Sequence, residues 1–494
     1  VWEACLSGPC PPMRYSIAAS ALLVLGVAAR SSPRPNHRLA FAAASRVFRP
    51  NTSLRSRTFA MAAVGTADGG PTASVTDAFD GGNGEFVGAE RDGNGGLTVK
   101  VRIKPDVYTE LEKKNHFQYF CFRSTVGGGA VEATYAIENA GDASYAPAWN
   151  GSTVFASTSF KDPGSWRRVT DTTYDADSGR LSWTYHHEGS GSVYFAYFPP
   201  YSYERHLGLI SRCAASPDCE VMSLGKTLDG REMDCVTIGT GPRSCWIIHR
   251  QHPGESMAEY YAEGLLERLL GLETGGSVDG LTKRIRDMYT FHIVPNMCPD
   301  GAVRGHLRTN ACGANLNREW APSDGYDAPT PERSPEVYAV LNKMDETGVD
   351  VFLDVHGDEE LPFNFLAGSQ GCANWGPRLE ALHGAFLAAY ERANPDMQKE
   401  VSYEPDKANE AKMNICSNQI AYRFDCLAAT LEMPFKDCAS NPDPERGWNP
   451  ARAKMLGQSV IDALVYVHPF LRDEGDFWTK LPENDAYVNP TEKY

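Results

Sequence analysis

A change of hydrophobic period near Pro199-Pro200 constrains the fold of this chain more than any other feature. Before it, short runs rich in Val, Thr and aromatics (residues 97–103, 117–122, 130–137, 179–185 and 192–198) alternate with clusters of Gly, Asp, Asn and Ser. Such spacing predicts an antiparallel β-sandwich over residues 78–204. After it, short apolar runs alternate with longer stretches of helical periodicity. This predicts an α/β domain over 205–475, with a mixed, largely parallel sheet flanked by helices. Residues 246–249, 290–294, 349–355 and 428–432 read as strands. Residues 256–270, 378–393 and 450–468 read as helices, the first stopped by Gly271. Residues 476–494 are left as a C-terminal tail.

Residues 1–70 do not read as part of the fold. Arg14 precedes an apolar run over 16–29 that suits a signal-peptide core, and residues 30–60 carry Arg, Ser and Ala but no acid. Together they resemble the two-part presequence of complex plastids. The alternative is a translation start at Met61 and a cytoplasmic product, and the sequence leaves the two locations undecided. The 494-residue chain holds 47 basic and 63 acidic residues, a net charge of −16. That balance argues against nucleic acid as a partner and against docking on an anionic membrane. No run is suited to stable membrane insertion. The 13 cysteines include no CxxC pair and are expected to be mostly free, buried thiols. His186, His187 and Glu188 read as solvated turn residues. Oligomeric state is not legible.

Four polar clusters fall at or just after the ends of expected strands, where open α/β sheets place their sites. In His252-Pro-Gly-Glu255, a strand-to-helix turn can aim an imidazole and a carboxylate at one metal. His356, directly after an apolar strand, completes two His and one Glu and leaves a fourth position for water, as catalytic zinc requires. Arg308, Asn317 and Arg318 suit an anionic substrate end and a developing oxyanion. Glu432 ends an apolar strand, where an unpaired carboxylate is costly to bury. Beside a metal-activated water it can take a proton and pass it on.

In this order the motifs resemble the zinc carboxypeptidases. HPGES, PDGAVRG, LRTNACGANLNREW, LDVHGDEE and TLEMPFKD are similar to those of the cytosolic-carboxypeptidase subfamily, especially its bacterial-type members. SVYFAYFPPYSYERH resembles the end of the β-sandwich that this subfamily carries ahead of its catalytic domain. The resemblance covers residues 78–475. It implies one Zn2+ per chain held by His252, Glu255 and His356, with Glu432 as general base and acid. Arg308 would stabilise the oxyanion, and Asn317 and Arg318 would bind the terminal carboxylate of a peptide or protein. Asn315 falls where digestive-type enzymes have an Asp behind a ligating histidine.

The implied activity is a metallocarboxypeptidase, with outgoing Glu or Asp as a candidate preference. That preference needs a basic residue in the pocket, for which Lys407, Lys412 and Arg423 are candidates. Cys298 departs from the expected Asn-Pro-Asp-Gly turn. The substrate-capping tyrosine is unassigned, with Tyr403 and Tyr422 as candidates by position. Two alternatives stay open: a zinc-dependent deacylase of small acylated amino acids, related to aspartoacylase, and a non-catalytic binding protein.

Overall fold

A computed structural model of the chain describes residues 72–91, 96–322 and 328–473, with 475 and 477. The expectations for residues 1–70, and most of the C-terminal tail, lie outside the described residues.

Ten strands come first: β1 (Thr72–Thr76), β2 (Glu85–Arg91), β3 (Leu97–Arg102), β4 (Cys121–Gly127), β5 (Val131–Ile137), β6 (Val154–Ser157), β7 (Arg167–Val169), β8 (Thr173–Asp175), β9 (Arg180–His187) and β10 (Gly191–Ala196). They form two five-stranded sheets, ordered β1-β4-β10-β6-β7 and β2-β3-β5-β9-β8. Pairing is antiparallel except between β3 and β5, which run parallel. Alternation such as Leu97, Val99 and Val101 inward against Thr98 and Lys100 lays one face of each strand on the core. Aromatic rings close the space between the sheets: Tyr135 lies 4.4 Å from Phe195, and Trp183 lies 5.3 Å from Phe195.

Two local expectations shift. The run 117–122 becomes strand only from Cys121, because the Gln118 side chain takes over the pairing there, bonding both the N–H and the carbonyl of Tyr145. His186 and His187 lie on β9 rather than in a turn, and His187 is buried with a nitrogen 2.9 Å from the Tyr135 hydroxyl.

The second region holds α1 (Tyr203–Ala214), β11 (Cys219–Lys226), β12 (Glu232–Ile238), β13 (Arg243–His249), α2 (Met257–Leu270), α3 (Gly280–Met288), β14 (Tyr289–Val294), α4 (Pro299–Arg304), α5 (Pro335–Thr347), β15 (Val351–Val355), β16 (Phe365–Ala367), α6 (Pro377–Ala393), α7 (Cys416–Phe424), β17 (Leu427–Glu432) and α8 (Pro450–Val467). The sheet order is β11-β12-β14-β13-β15-β17-β16. The four central strands are parallel and the outer ones antiparallel. Helices cover both faces, so β13, β15 and β17 are buried almost end to end and read as unbroken apolar runs. Cys245 and Ile247 of β13 pack with α2, α6 and α8, while Trp246 and Ile248 pack with α5 and α7. A fully buried aliphatic side chain such as Ile247 or Ile248 contributes about 1.5–3 kcal/mol.

Helices α2 and α8 approach at two glycines. A Cβ on Gly264 would lie 2.1 Å from the Lys454 carbonyl, and one on Gly457 would lie 2.1 Å from that of Tyr261. The register pairs His249 with Val355 and Val355 with Leu431, so the carboxyl ends of β13, β15 and β17 lie side by side.

The eleven described cysteines are all free, nine of them buried. Among the described residues, no helix is long and apolar enough to cross a membrane.

Candidate active site

The edge formed by these strand ends gathers residues far apart in the chain. His252 and Glu255 lie in the turn from β13 to α2, His356 follows β15, and Glu432 closes β17. The ligand atoms of His252, Glu255 and His356 all lie within 4.8 Å of one another. The His252 Nδ1 is 2.6 Å from Glu255 Oε1, and the His356 Nδ1 is 2.9 Å from Oε2. Both histidines turn the same nitrogen inward. Their other nitrogens face acceptors: His252 Nε2 is 3.2 Å from Asn315 Oδ1, and His356 Nε2 is 2.9 Å from Asp354 Oδ2.

An acceptor behind each Nε2 holds a proton there and leaves the Nδ1 lone pair for a cation. Two imidazole nitrogens and a carboxylate, all buried, are a donor set that zinc takes, with room for a further ligand on the cavity side. Burial, with Arg308 nearby, pushes His252 down to about 3 and keeps its ring neutral. Burial opposes protonation of His356 too, but the carboxylates of Asp354 and Glu255 outweigh it and raise that group, so a bound cation would displace the proton.

The cavity over this cluster has a volume of about 350 Å³. His252, Glu255, Arg308, Asn317, Arg318 and Glu432 all line it. Glu432 is 8% exposed, and its Oε2 is buried with no hydrogen-bond partner among the described residues. Burial pushes this carboxyl well above the usual carboxylate range; His356 pulls the other way and Glu255 adds to the rise. A carboxylate so placed is a strong proton acceptor. Among the described residues, nothing accepts from the Arg308 guanidinium, which is free for a developing anion. Asn317 Oδ1 is engaged by the Cys416 N–H at 2.9 Å, which fixes the short helical turn Leu316–Arg318.

Several residues here carried no local signal. Asp106, between β3 and β4, accepts the N–H groups of Leu307, Arg308 and Thr309 and the Thr309 hydroxyl, at 2.7–2.9 Å. Glu112 accepts the Asn315 N–H at 3.2 Å. Tyr145, held at its backbone by Gln118, lines the cavity. Arg168 of β7 donates to the carbonyls of Phe435, Lys436 and Trp448, just past Glu432. Tyr197 stacks on Phe435 at 4.3 Å. The β-sandwich therefore supplies part of the site wall and fixes three of the segments that build it. Asp354 did carry a signal: two residues before His356 on a strand, it points to the same side.

Of the tyrosine candidates, Tyr403 lines the cavity, hydrogen-bonded to Asp358, while Tyr422 is 54% exposed and does not line it. Lys407 and Lys412 are exposed and do not line it either. Arg423 pairs with Asp345 at 2.6–2.7 Å. Cys298 caps the start of α4, where its N–H bonds Asn296 Oδ1 at 2.9 Å and closes the turn.

Residues 75–198 match the cytosolic carboxypeptidase N-terminal domain, and residues 209–449 match the zinc carboxypeptidase domain. The chain is 43% identical to an uncharacterized protein of Zymomonas mobilis over 80% of its own length and 96% of that protein. It is 39% identical to the crystal structure of a metallo-carboxypeptidase from Burkholderia cenocepacia, with a TM-score of 0.72, covering 81% of this chain and 99% of that one. A metallo-carboxypeptidase from Pseudomonas aeruginosa, solved with (2-guanidinoethylmercapto)succinic acid, is 37% identical with a TM-score of 0.72, covering 81% and 100%. With these domains in this order, the chain belongs to the zinc carboxypeptidase family and is a metallocarboxypeptidase of the cytosolic-carboxypeptidase type.

Proposed function

We propose that this protein removes the C-terminal residue of peptides or proteins, using one Zn2+ per chain held by His252, Glu255 and His356. The observation that carries this is the convergence of those three donors beneath a cavity that Glu432, Arg308, Asn317 and Arg318 also line. Bound zinc would supply a Lewis acid and an activated water. Glu432 takes a proton from the attacking water at its carboxylate and returns it to the leaving amine. The Arg308 guanidinium donates to the oxyanion as it forms. Asn317 and Arg318 bind the terminal carboxylate and set which bond is cut. The (2-guanidinoethylmercapto)succinic acid in the Pseudomonas relative, which carries two carboxylates beside its guanidino group, supports a carboxylate-binding site. Asn315 orients His252, and the working domain limits are 78–204 and 205–475.

We extend this to a preference for an outgoing Glu or Asp, whose side chain would meet Arg308 and Arg318, the cations that line the cavity. The net charge of −16 supports peptide rather than nucleic-acid partners. The N-terminal segment supports two locations, plastid if it is translated and cleaved, cytoplasm if Met61 is the start. N-terminal sequencing of the native protein separates them.

The test is single-residue trimming of peptides with varied C-terminal residues, followed by mass spectrometry, with and without a chelator and with Glu432→Gln as control. Chelator-sensitive trimming that the control lacks is expected. A zinc-loaded protein that trims no peptide but releases small acyl groups would establish the deacylase alternative. Absence of bound metal would establish the binding-protein alternative.

A further inference from the structure

Gln251 is a buried polar residue with no part so far in the metal cluster, the base or the carboxylate clamp. It lies between Arg250 and His252 in the turn from β13 to α2. Its Nε2 donates to Asp354 Oδ2 at 2.6 Å, and its Oε1 accepts the indole N–H of Trp320 at 2.9 Å. Asp354 Oδ2 is also the atom that faces His356 Nε2 at 2.9 Å, on the ring whose Nδ1 points into the metal cluster. Trp320, Gln251, Asp354 and His356 thus form one chain of side chains, each at most 1% exposed.

The chemistry of the neighbours fixes the residue between them. An indole N–H can only donate and a carboxylate only accepts, and the glutamine amide offers an acceptor to the first and a donor to the second. Asp354 has little else to orient it: its Oδ1 is buried with no hydrogen-bond partner among the described residues. The bond from Gln251 is therefore what sets this carboxylate opposite His356. Gln251 is itself anchored on both sides. Arg250 has a left-handed backbone, φ 57°, held by side-chain bonds to the carbonyls of Tyr201 and Pro253 and to Glu259 at 2.7–2.9 Å. Such a conformation persists only where its surroundings enforce it. Trp320 packs in one apolar cluster with Trp246 and Leu316, and its backbone N–H bonds the Asn414 carbonyl at 3.3 Å.

We propose that Gln251 is a positioning residue for the metal site, holding Asp354 against His356 and itself held by Trp320. This rests on the zinc site proposed above. A fixed carboxylate behind Nε2 keeps the His356 ring turned so that its Nδ1 lone pair is aimed at the cation. Trp320 lies two residues past Arg318, so the aim of this ligand also depends on the loop that carries Asn317 and Arg318.

The experiment uses the full chain as Gln251→Met, Trp320→Phe, Asp354→Ala and the double variant Gln251→Met with Asp354→Ala. Zinc dissociation constants are measured by competition with a chromogenic chelator, beside thermal melting of the zinc-free proteins and peptide trimming. Gln251→Met is expected to weaken zinc binding about tenfold, and Trp320→Phe, which removes only the indole N–H, about threefold. In the Asp354→Ala background, Gln251→Met is expected to change zinc binding by less than about twofold. A lower melting temperature with an unchanged zinc constant would mean a purely structural role and overturns the inference. An equal loss in both backgrounds overturns it too, because Gln251 would then act without Asp354. If Gln251→Met does not fold, Trp320→Phe decides, and an unchanged zinc constant there overturns the inference. All three outcomes leave the carboxypeptidase function standing. A wild type that binds zinc but trims no peptide overturns that function, while the zinc constants still decide this inference. A wild type that binds no zinc overturns both.

Discussion

Asp106 is the place where a change outside the catalytic half should be felt most directly in catalysis. Its Oδ2 accepts the Arg308 N–H, the Thr309 N–H and the Thr309 hydroxyl, each at 2.9 Å, and its Oδ1 accepts the Leu307 N–H at 2.7 Å. Asp106→Asn preserves shape. Its single carbonyl oxygen serves the three donors, and its NH2 group then faces the Leu307 N–H. One charge-assisted bond is lost and a buried donor is left bare, together about 3 kcal/mol. Relaxation of that clash moves residues 307–309, and with them the base of the Arg308 side chain. A displacement near 1 Å at a group that meets the transition state costs on the order of 100-fold. The expected result is a kcat/KM loss of about that size, mostly in kcat, with zinc content unchanged. Peptide kinetics in a double-mutant cycle with Arg308→Ala provides the assay. If Asp106 acts through Arg308, its replacement should cost little once Arg308 is gone. An equal loss in both backgrounds, or unchanged kcat in a destabilised protein, would refute the coupling.

Other perturbations have defined outcomes. Glu432→Gln should retain zinc and lose turnover, read by metal analysis beside peptide trimming; residual turnover within tenfold of wild type would exclude Glu432 as the base. Asp354→Asn should weaken zinc binding about 10–100-fold, measured by competition with a chromogenic chelator, because Asp354 faces the His356 Nε2. Burial works against protonation of His206, but Asp234 and Glu259, at 3.1 and 2.7 Å, raise it to about 9. A folded-state value above the unfolded 6.5 means that stability is fully present below about pH 6.5 and lost as pH rises through about 9, on the order of 3 kcal/mol. Urea midpoints from pH 6 to 10 should fall for the wild type and stay level for His206→Gln. Arg168→Ala bares three carbonyls behind Glu432 and should cost about 2–3 kcal/mol by denaturant titration; an unchanged midpoint would exclude that role.

The parts of the site that could be read from the sequence share one property: each breaks a local pattern. His356 and Glu432 are polar groups ending strands that are otherwise apolar because helices cover both faces. His252 and Glu255 sit in a turn between such a strand and a helix. The contributions of the β-sandwich break no pattern. Asp106, Glu112 and Tyr145 look like ordinary loop residues, and Asp106 and Glu112 find partners some 200 residues away. Lys407, Lys412 and Arg423 were candidates because they lie between His356 and Glu432 in the chain, but proximity in sequence did not bring them to the cavity. Strand existence was legible in the catalytic half, where burial is uniform. It was less so at β4, where the polar stretch Arg123–Thr125 continues a strand that apolar content alone would stop.

The four bonds received by Asp106 limit how this protein could be recombined. The peptide groups of residues 307–309 meet an acceptor that the catalytic half does not encode. Transplanting that half onto another scaffold would strand those donors, and grafting a foreign sandwich onto it would restore them only with a carboxylate at the same point. The two halves are separable as sequence segments, yet the buried donors of residues 307–309 tie the folding of one to the presence of the other.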